Sequence, residues 1–555
     1  MELKEKLFAG GTGGTGFFIA LLFLALLLTG LAMGPCLDNG FINWDETEYI
    51  TGNHRIKTLS WENVKTIFST LDLKMYSPLS TLSYALNYHF SGLDPKAYHA
   101  SDLLLHLANT ALVMVLVRLL LTSVWAAFFT ALLFGIHPAH VESVAWAAER
   151  KDVLYAFFYL SSLAAYAWRP DKAGARFLSL ALFVCAMLSK PMAITLPAAL
   201  LLVDYLKSRK LELRHVINKI PFFVFAAVFI VLLTPPSGSL LSLPWTKRLL
   251  VPLYNLGFYV YTLLWPFDLS AMHTAPAGKT VFYAFAAGTP AVMFLLWKYL
   301  RRDKEIIFGA AFFVVMLLPV LQFFPFGQVI SADRYTYLSS IGIFIIGAVS
   351  ARRLWRRLGP AHRGIMAVCA VSAVLVLAVA ARVRCAVWKD GVSLWSDTLR
   401  KQPLAAPALT NLCDAYLQAN MIGEAAACLS QATRRDPGNN NNHYNVCRMF
   451  LQNREFDRAE ECFTQMLKVS PCHAAAHNYL GDICLFGGRA AEAARYYTRA
   501  VQCDDTYAPA YLNLGKLALS GKDTAKAVSF YEKALSAEPA DKETRALLNS
   551  LRPRP

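Results

Sequence analysis

Charge is scarce in this sequence. Only 17% of its 555 residues are Asp, Glu, Lys or Arg, against roughly a quarter in an average soluble domain. Acidic residues are the scarcer kind, 38 against 54 basic ones. Cysteine is almost missing from the larger part of the chain: only Cys36, Cys185 and Cys369 precede residue 385. No CxxC pair and no zinc spacing occurs. Together with a hydrophobic share of 56%, these shortages exclude a disordered chain, a collagen-like fibre and a small disulfide scaffold. A dinucleotide fold is excluded as well. Gly11-Thr12-Gly13-Gly14-Thr15-Gly16 fits GxGxxG, but no strand precedes it and an apolar run follows, so the stretch reads as a flexible lead-in.

What is present is a series of long apolar blocks reaching to about residue 382, followed by a chain of ordinary polarity. Phe17–Met33 is long enough to span a bilayer, and Pro35 beside Cys36 spoils a lipoprotein-type cleavage site, so it reads as a retained first helix. The net charge of +16 would suit nucleic acid, but its distribution argues otherwise. Basic residues gather in short loops between apolar blocks: Arg169, Lys172 and Arg176; Lys207, Arg209, Lys210 and Arg214; Lys298, Arg301, Arg302 and Lys304; Arg352, Arg353, Arg356 and Arg357. That is the positive-inside pattern of a multispanning membrane protein, with no nucleic-acid partner. With these loops cytoplasmic, the blocks give about eleven crossings. The stretch 249–265, with Pro252, Asn255 and Gly257 inside it and Pro266 just after, lies in the interface or re-enters. The N-terminus is then cytoplasmic and everything beyond Arg382 is outside. Segments 34–100, 137–151, 235–280 and 325–334, and the neighbourhood of Lys190, fall on that outer face.

Prolines at 403, 437, 471 and 539 are spaced by multiples of 34, with Asp505 in the missing place. A 34-residue period marks tetratricopeptide (TPR) repeats, an α-solenoid whose default role is to bind protein or peptide. Leu480-Gly481, Ala493, Tyr497 and Ala500 recur one period later as Leu514-Gly515, Ala527, Tyr531 and Ala534. Trp388–Leu399 reads as the second helix of a partial repeat. Cys413/Cys428 and Cys447/Cys462 share one separation, one period apart. Cys413 and Cys447 occupy the close-approach position, which favours small-residue packing; disulfides are permitted on an oxidising side. His473 and His477 share a helix face, but no third ligand joins them. The expected division is a membrane domain over 1–384, a repeat array over 385–545 and a short tail over 546–555. Within the array, 385–405 is a partial repeat and about 406–539 holds four full ones.

Three outer constellations carry candidate chemistry. Asn43-Trp44-Asp45-Glu46, followed by Glu48 and Tyr49, puts two carboxylates just beyond the first helix. Partial desolvation would raise one of them into the range of a general base, although an ordinary solvated turn has the same look. His137-Pro138-Ala139-His140-Val141-Glu142 runs on to Glu149-Arg150-Lys151-Asp152. It suits a sugar, a cation or a phosphate, and equally an interfacial helix with snorkelling charges. Ser331-Ala332-Asp333-Arg334-Tyr335 and Lys190 put cations on the outer face, against the positive-inside bias. Such charges need an anion, and a lipid phosphate is the natural one. A divalent metal is compatible with these His and carboxylate residues, but no ligand set closes.

In combination these features resemble a known family. The acidic pair of the first outer loop, HPxHxExVAxxxxRxDxL (His137 to Leu154), LSKxxxxxxxP (Leu188 to Pro197), ADRYxYL (Ala332 to Leu338) and the C-terminal repeats are similar to the transmembrane-and-TPR (TMTC) family of the GT-C glycosyltransferase superfamily. The resemblance covers essentially the whole chain. It implies an all-α fold, a GT-C-type membrane bundle followed by the solenoid. It also implies an inverting glycosyltransferase that passes a mannose-like sugar from a polyprenyl- or dolichyl-phosphate donor to Ser or Thr of a protein presented by the TPRs. Asp45 would be the catalytic base, and Glu46, the second catalytic residue, would support it or bind donor hydroxyls. His137, His140, Glu142, Lys151, Lys190, Asp333 and Arg334 would bind donor sugar or phosphate. The Asp-Glu pair is closer to the protein O-mannosyltransferases than the Asp-Asp expected elsewhere in the superfamily, and Ser339-Ser340 stands where a proline is usual. Compact loops fit a bacterial cytoplasmic membrane with periplasmic repeats; the endoplasmic reticulum, with repeats lumenal, is the alternative. The competing function is a non-catalytic membrane scaffold that recruits partners through its repeats.

Overall fold

The computed structural model describes residues 12–71, 75–208, 212–233, 245–274, 279–300, 303–323, 330–436, 438–539 and 541–551. Several expectations lie outside these residues: those on Gly11, Arg209, Lys210, Arg301, Arg302 and Pro437, and on parts of the 235–280 and 325–334 loops. The described chain is helical; its one isolated β-bridge pairs His273 with Ser331. It divides into two compact units. One holds the chain up to Tyr49, Thr66–Asn87 and Leu93–Leu404; the other holds Ile50–Lys65, Tyr88–Gly92 and the chain from Ala405.

Among the described residues of the first unit, four helices are long and apolar enough to cross a membrane: Gly14–Asp38, Pro95–Leu121, Asp333–Arg357 and Pro360–Val387. Val124–Ile136 with Pro138–Ala145, bent by 54°, makes a fifth. Shorter apolar helices cover Ala173–Ser189, Ile220–Val231, Leu249–Leu264 and Thr280–Leu295. The Gly-rich lead-in is helical from Thr12 onward, a correction with a physical reason: apolar surroundings leave backbone groups no partner outside a helix. The stretch around 249–265 belongs to one continuous helix, Trp245–Leu264, with Pro252 inside it, and packs on Lys279–Leu300. Pro360–Val387 turns Ile365, Val368, Val371, Leu375, Val379 and Val383 outward, the dress of a lipid-facing helix.

Local chemistry sets the helix ends that matter here. Asp94 caps Pro95–Leu121 through the Lys96 N–H, with proline at the first helical position. Thr122 ends that helix in the left-handed region at φ 56°, and the Ser123 hydroxyl then caps Val124–Ile136. Lys304–Leu317 and Thr336–Arg357 meet at Gly309 and Gly342. A Cβ at Gly309 would stand 2.6 Å from the Gly342 carbonyl oxygen, so small residues set this approach.

In the second unit, helix pairs start at Ala406, Asn440, Ala474 and Ala508, and a further helix starts at Lys542. The interval is the 34-residue period. Ala425, Ala459, Ala493 and Ala527 are buried in the same register, as are Ala432, Met466, Ala500 and Ala534. A Cβ on Gly481 would fall on the Tyr497 ring, and one on Gly515 on the Tyr531 ring. In the two earlier repeats the close-approach position holds Cys413 and Cys447, and these are bonded to Cys428 and Cys462. Cys472 is bonded to Cys503. Packing of small residues is therefore not their whole role: the close approach brings the second thiol within bonding reach, with Cα atoms 5.4 and 5.3 Å apart.

Two boundaries differ from the expected ones. The helix Lys542–Leu551 occupies most of the expected tail. Its Leu548 packs with Ala527 and Tyr531, covering the apolar side of the last full repeat. Helix Gly391–Lys401 belongs to the first unit, which runs to Leu404. There Trp388 and Trp395 are fully buried and meet the rings of Trp146 and Trp44.

Candidate active site

The chain leaves the first helix through a short 3-10 turn, Gly34–Asp38, and the segment after it is pinned at nearly every residue. Asn39 Nδ2 donates to the Cys385 carbonyl at 3.2 Å and the Gly40 N–H to the Lys389 carbonyl at 2.9 Å. Trp395 Nε1 donates to Asn43 Oδ1 at 2.9 Å. Trp44 stacks on Trp146 with centroids 4.1 Å apart and planes 12° apart. Asp45 follows directly and is half-buried.

Glu46 is 1% exposed. One carboxylate oxygen accepts the Ala147 N–H at 3.0 Å and the other the Ile42 N–H. Burial pushes its carboxyl up to about 8, the amide hydrogen bonds only partly opposing this. Burial also raises the Asp45 carboxyl above its ordinary value; Lys151 and Arg334 pull it down and Glu149 pushes it further up.

A buried ion cluster supplies those charges. Lys190 donates to Glu149 and, at 2.5 Å, to Asp152 Oδ1. Lys151 Nζ stands 3.4 Å from Glu149 Oε2 and 4.2 Å above the Tyr49 ring. Arg334 Nη1 donates to Glu142 Oε1 at 2.5 Å, its backbone N–H to Glu142 Oε2 at 3.0 Å, and its Nε lies 3.9 Å from Glu149. The Arg334 guanidinium also lies 5.4 Å from the Trp146 ring centre. Burial would raise the Glu149 carboxyl, but Lys151, Lys190 and Arg334 outweigh it and hold the group well below the carboxylate range. At 11% exposed, the Arg334 side chain is the most open of this set.

The structure thus brings together Asp45, Glu142, Lys151, Lys190 and Arg334 from four separate stretches of sequence. Other expected site residues lie elsewhere. His137 Nε2 faces the Leu263 carbonyl at 3.0 Å and His140 Nδ1 the Phe134 carbonyl at 2.7 Å, and both rings pack against Phe344. Asp333 accepts the Ser270 N–H at 3.0 Å and pairs with His273 Nε2 at 2.7 Å. Arg150, within the constellation read as suiting a phosphate, is buried against Asp102 Oδ1 at 2.6 Å and the Tyr98 carbonyl at 3.0 Å. Lys190 and Arg334, for which a lipid phosphate is the expected anion, each meet carboxylates of the protein. Among the described residues, no three His, Cys, Asp or Glu side chains gather as metal ligands. His473 Nδ1 accepts the Ala476 N–H and His477 Nε2 faces the Pro471 carbonyl.

The sequence marks Glu149 and Asp152 only as members of the constellation that starts at His137, and gives Trp146 and His273 no role. The first three fall within the His137–Leu154 motif, where the run Glu-Arg-Lys-Asp was the available signal. His273 has no such signal.

In comparison with known proteins, the tetratricopeptide repeat family model matches residues 448–508, and a second tetratricopeptide model matches 508–541. The chain is similar to protein O-mannosyl-transferase tmtc2 of Xenopus laevis, 36% identical over 152 residues covering 26% of this chain and 18% of the relative. It is similar to the human TMTC2 at 35% over 154 residues, again 26% of this chain and 18% of that protein. Mouse protein O-mannosyl-transferase TMTC4 aligns more widely, 25% identical over 480 residues, with 70% of this chain and 63% of the relative covered. The chain therefore matches less than two thirds of these relatives' length. Among solved structures, ArnT from Cupriavidus metallidurans bound to undecaprenyl phosphate aligns with 79% of this chain and 78% of its own, at 15% identity and a TM-score of 0.37.

Proposed function

We propose that this chain, a relative of the TMTC protein O-mannosyl-transferases, is an integral-membrane glycosyltransferase. It passes a mannose-like sugar from a polyprenyl- or dolichyl-phosphate donor to Ser or Thr of proteins on the periplasmic or lumenal side. The observation that carries this reading is the half-buried Asp45 beside the Lys151–Glu149–Arg334 charges, directly after Trp44, which stacks on Trp146.

Asp45 takes the proton of the acceptor hydroxyl. The hydroxyl oxygen attacks the anomeric carbon opposite the lipid phosphate, the sugar–phosphate C–O bond breaks with its electron pair remaining on the phosphate, and the configuration inverts. Burial makes Asp45 a stronger base than a solvated aspartate, which is what general base catalysis near neutral pH requires. Arg334 and Lys151, with Lys190 behind them, meet the charge that develops on the phosphate. Their carboxylate partners hold them in place beforehand, so little reorganisation accompanies the reaction. Glu46 is a positioning residue that ties the Asp45 turn to Ala147. His137, His140 and Asp333 support the two segments that carry Glu142 and Arg334. The repeats present the acceptor polypeptide, and their disulfides support an oxidising compartment. A bacterial inner membrane with periplasmic repeats meets that condition, as does the endoplasmic reticulum.

The test is transfer from labelled polyprenyl-phosphate mannose in membranes holding wild type or Asp45→Asn. Loss of a general base lowers the rate by about 10²–10⁴-fold. Equal transfer by the two removes Asp45 from the chemistry.

A further inference from the structure

Three disulfides form in the repeats, and five cysteines remain as thiols: Cys36, Cys185, Cys369, Cys385 and Cys484. Two of these five are in contact. Cys36 Sγ and Cys385 Sγ lie 3.1 Å apart, 349 residues distant in sequence, and both side chains are completely buried. Cys36 sits in the 3-10 turn that ends the first helix, and Cys385 in the last turns of Pro360–Val387. Hydrogen bonds brace the chain just beyond Cys36 against the end of the other helix: Asn39 Nδ2 donates to the Cys385 carbonyl, and the Gly40 N–H to the Lys389 carbonyl. The two sulfurs need to close by only about 1 Å to reach bonding distance, with their backbones already paired.

The compartment follows from chain order. No helix long enough to cross a membrane lies between Val387 and Cys413, so Cys385 shares the side of the membrane on which the repeat disulfides form. Cys36, in contact with Cys385, is on that side too. Disulfides persist in compartments of that kind.

We infer that Cys36 and Cys385 form a fourth disulfide, which fastens the first membrane helix to the last. The oxidant is the disulfide of a thiol–disulfide oxidoreductase. A thiolate of the pair attacks one of its sulfurs and forms a mixed disulfide; the second thiolate then displaces it. Two electrons pass to the oxidoreductase, which leaves as a dithiol, and the two thiol protons pass to solvent or to that dithiol. Exchange takes place as the chain folds, before the pair is covered, and burial then shields the bond from reductants. The bond links residues 349 apart and so closes a loop that takes in most of the first unit, the kind of long loop whose closure most restricts an unfolded chain. It lies at the base of the segment that holds Trp44 and Asp45, so the inference concerns that segment's anchorage and does not depend on the proposed transfer reaction.

The test counts thiols in the full-length protein. Cells are quenched with N-ethylmaleimide before lysis, which removes oxidation during purification, and the denatured protein is mapped by mass spectrometry without reduction. The expected result is a Cys36–Cys385 linked peptide, with Cys185, Cys369 and Cys484 as the alkylated cysteines. Recovery of Cys36 and Cys385 as separately alkylated peptides overturns the inference. Cys36→Ser provides an independent reading. With the disulfide present in wild type, the variant gains one alkylated site, at Cys385. With free thiols in wild type, it loses one.

Discussion

Arg334 donates twice to Glu142, through Nη1 to Oε1 at 2.5 Å and through its own backbone N–H to Oε2 at 3.0 Å. One carboxylate thereby fixes both the guanidinium and the peptide that carries it. The two residues are 192 apart in sequence, and the pair joins the Pro138–Ala145 stretch to the segment that opens Thr336–Arg357. A cation held in this way offers its remaining N–H groups in a fixed direction.

Removing one partner leaves the other as an uncompensated buried charge, which costs about 3–5 kcal/mol. Arg334→Ala is therefore expected to lower the melting temperature of the detergent-solubilised protein sharply. Arg334→Met combined with Glu142→Gln is expected to restore most of that stability while sugar transfer stays abolished. Recovery of transfer along with stability would make Arg334 a purely structural brace.

Glu46 links stability to pH. Its folded carboxyl is raised from 4.5 to about 8, so between those values the folded state holds a proton that the unfolded state has released. The resulting stabilisation is complete below the unfolded value and is lost as pH rises through the folded one, at up to about 1.4 kcal/mol per pH unit. Thermal unfolding midpoints of wild type should fall from about pH 5 to about pH 8, and Glu46→Gln should flatten that slope. Identical slopes would mean that Glu46 is not the linked group.

A raised Asp45 carboxyl also sets the sign of the pH–rate profile. The base works only when deprotonated, so transfer should fall as pH drops, with its acid limb above the ordinary aspartate range. Lys151→Met removes the charge that most opposes this rise and should move that limb further up in pH. A limb that stays at the same pH in Lys151→Met would separate the two residues.

In the repeats, Gly481→Ala drives a methyl group into the Tyr497 ring, a ring whose hydroxyl donates to Asp482 at 2.7 Å. Overpacking of this kind costs about 1–3 kcal/mol. Gly423, inside a helix with nothing within 4 Å of the added carbon, is the contrast. Gly423→Ala should be neutral or slightly stabilising, because alanine is the better helix former. Limited proteolysis of the full-length protein ranks the two variants, and equal proteolysis would contradict the close approach.

Much of this molecule is legible along the chain. The apolar blocks, the 34-residue interval and the small residues at 481 and 515 announce helices, repeats and close hairpin packing, because those properties depend on neighbours one turn or one period away. The acidic pair at Asp45-Glu46 is equally visible, but the division of labour within it is not. Glu46 accepts from two backbone amides, while the half-buried Asp45 feels the charges of Lys151, Glu149 and Arg334, a difference of surroundings that adjacent letters do not encode. His137 and His140 look like ligands in a motif, yet one nitrogen of each ring faces a backbone carbonyl, of Leu263 and Phe134 respectively.

Sequence alone determined the helical class, the alternation of apolar and basic stretches, the repeat register and the presence of carboxylates and cations near the ends of the apolar blocks. Each is a matter of composition or period. Tertiary structure decided which charges meet. It set Lys190 on Glu149 and Asp152, Arg334 on Glu142, and Lys151 over Tyr49, and it turned Arg150 inward to Asp102. It also bonded Cys413 to Cys428 and set Cys36 against Cys385. Ion pairs and thiol contacts act over a few ångströms, and only the folded chain brings residues hundreds of positions apart within that reach.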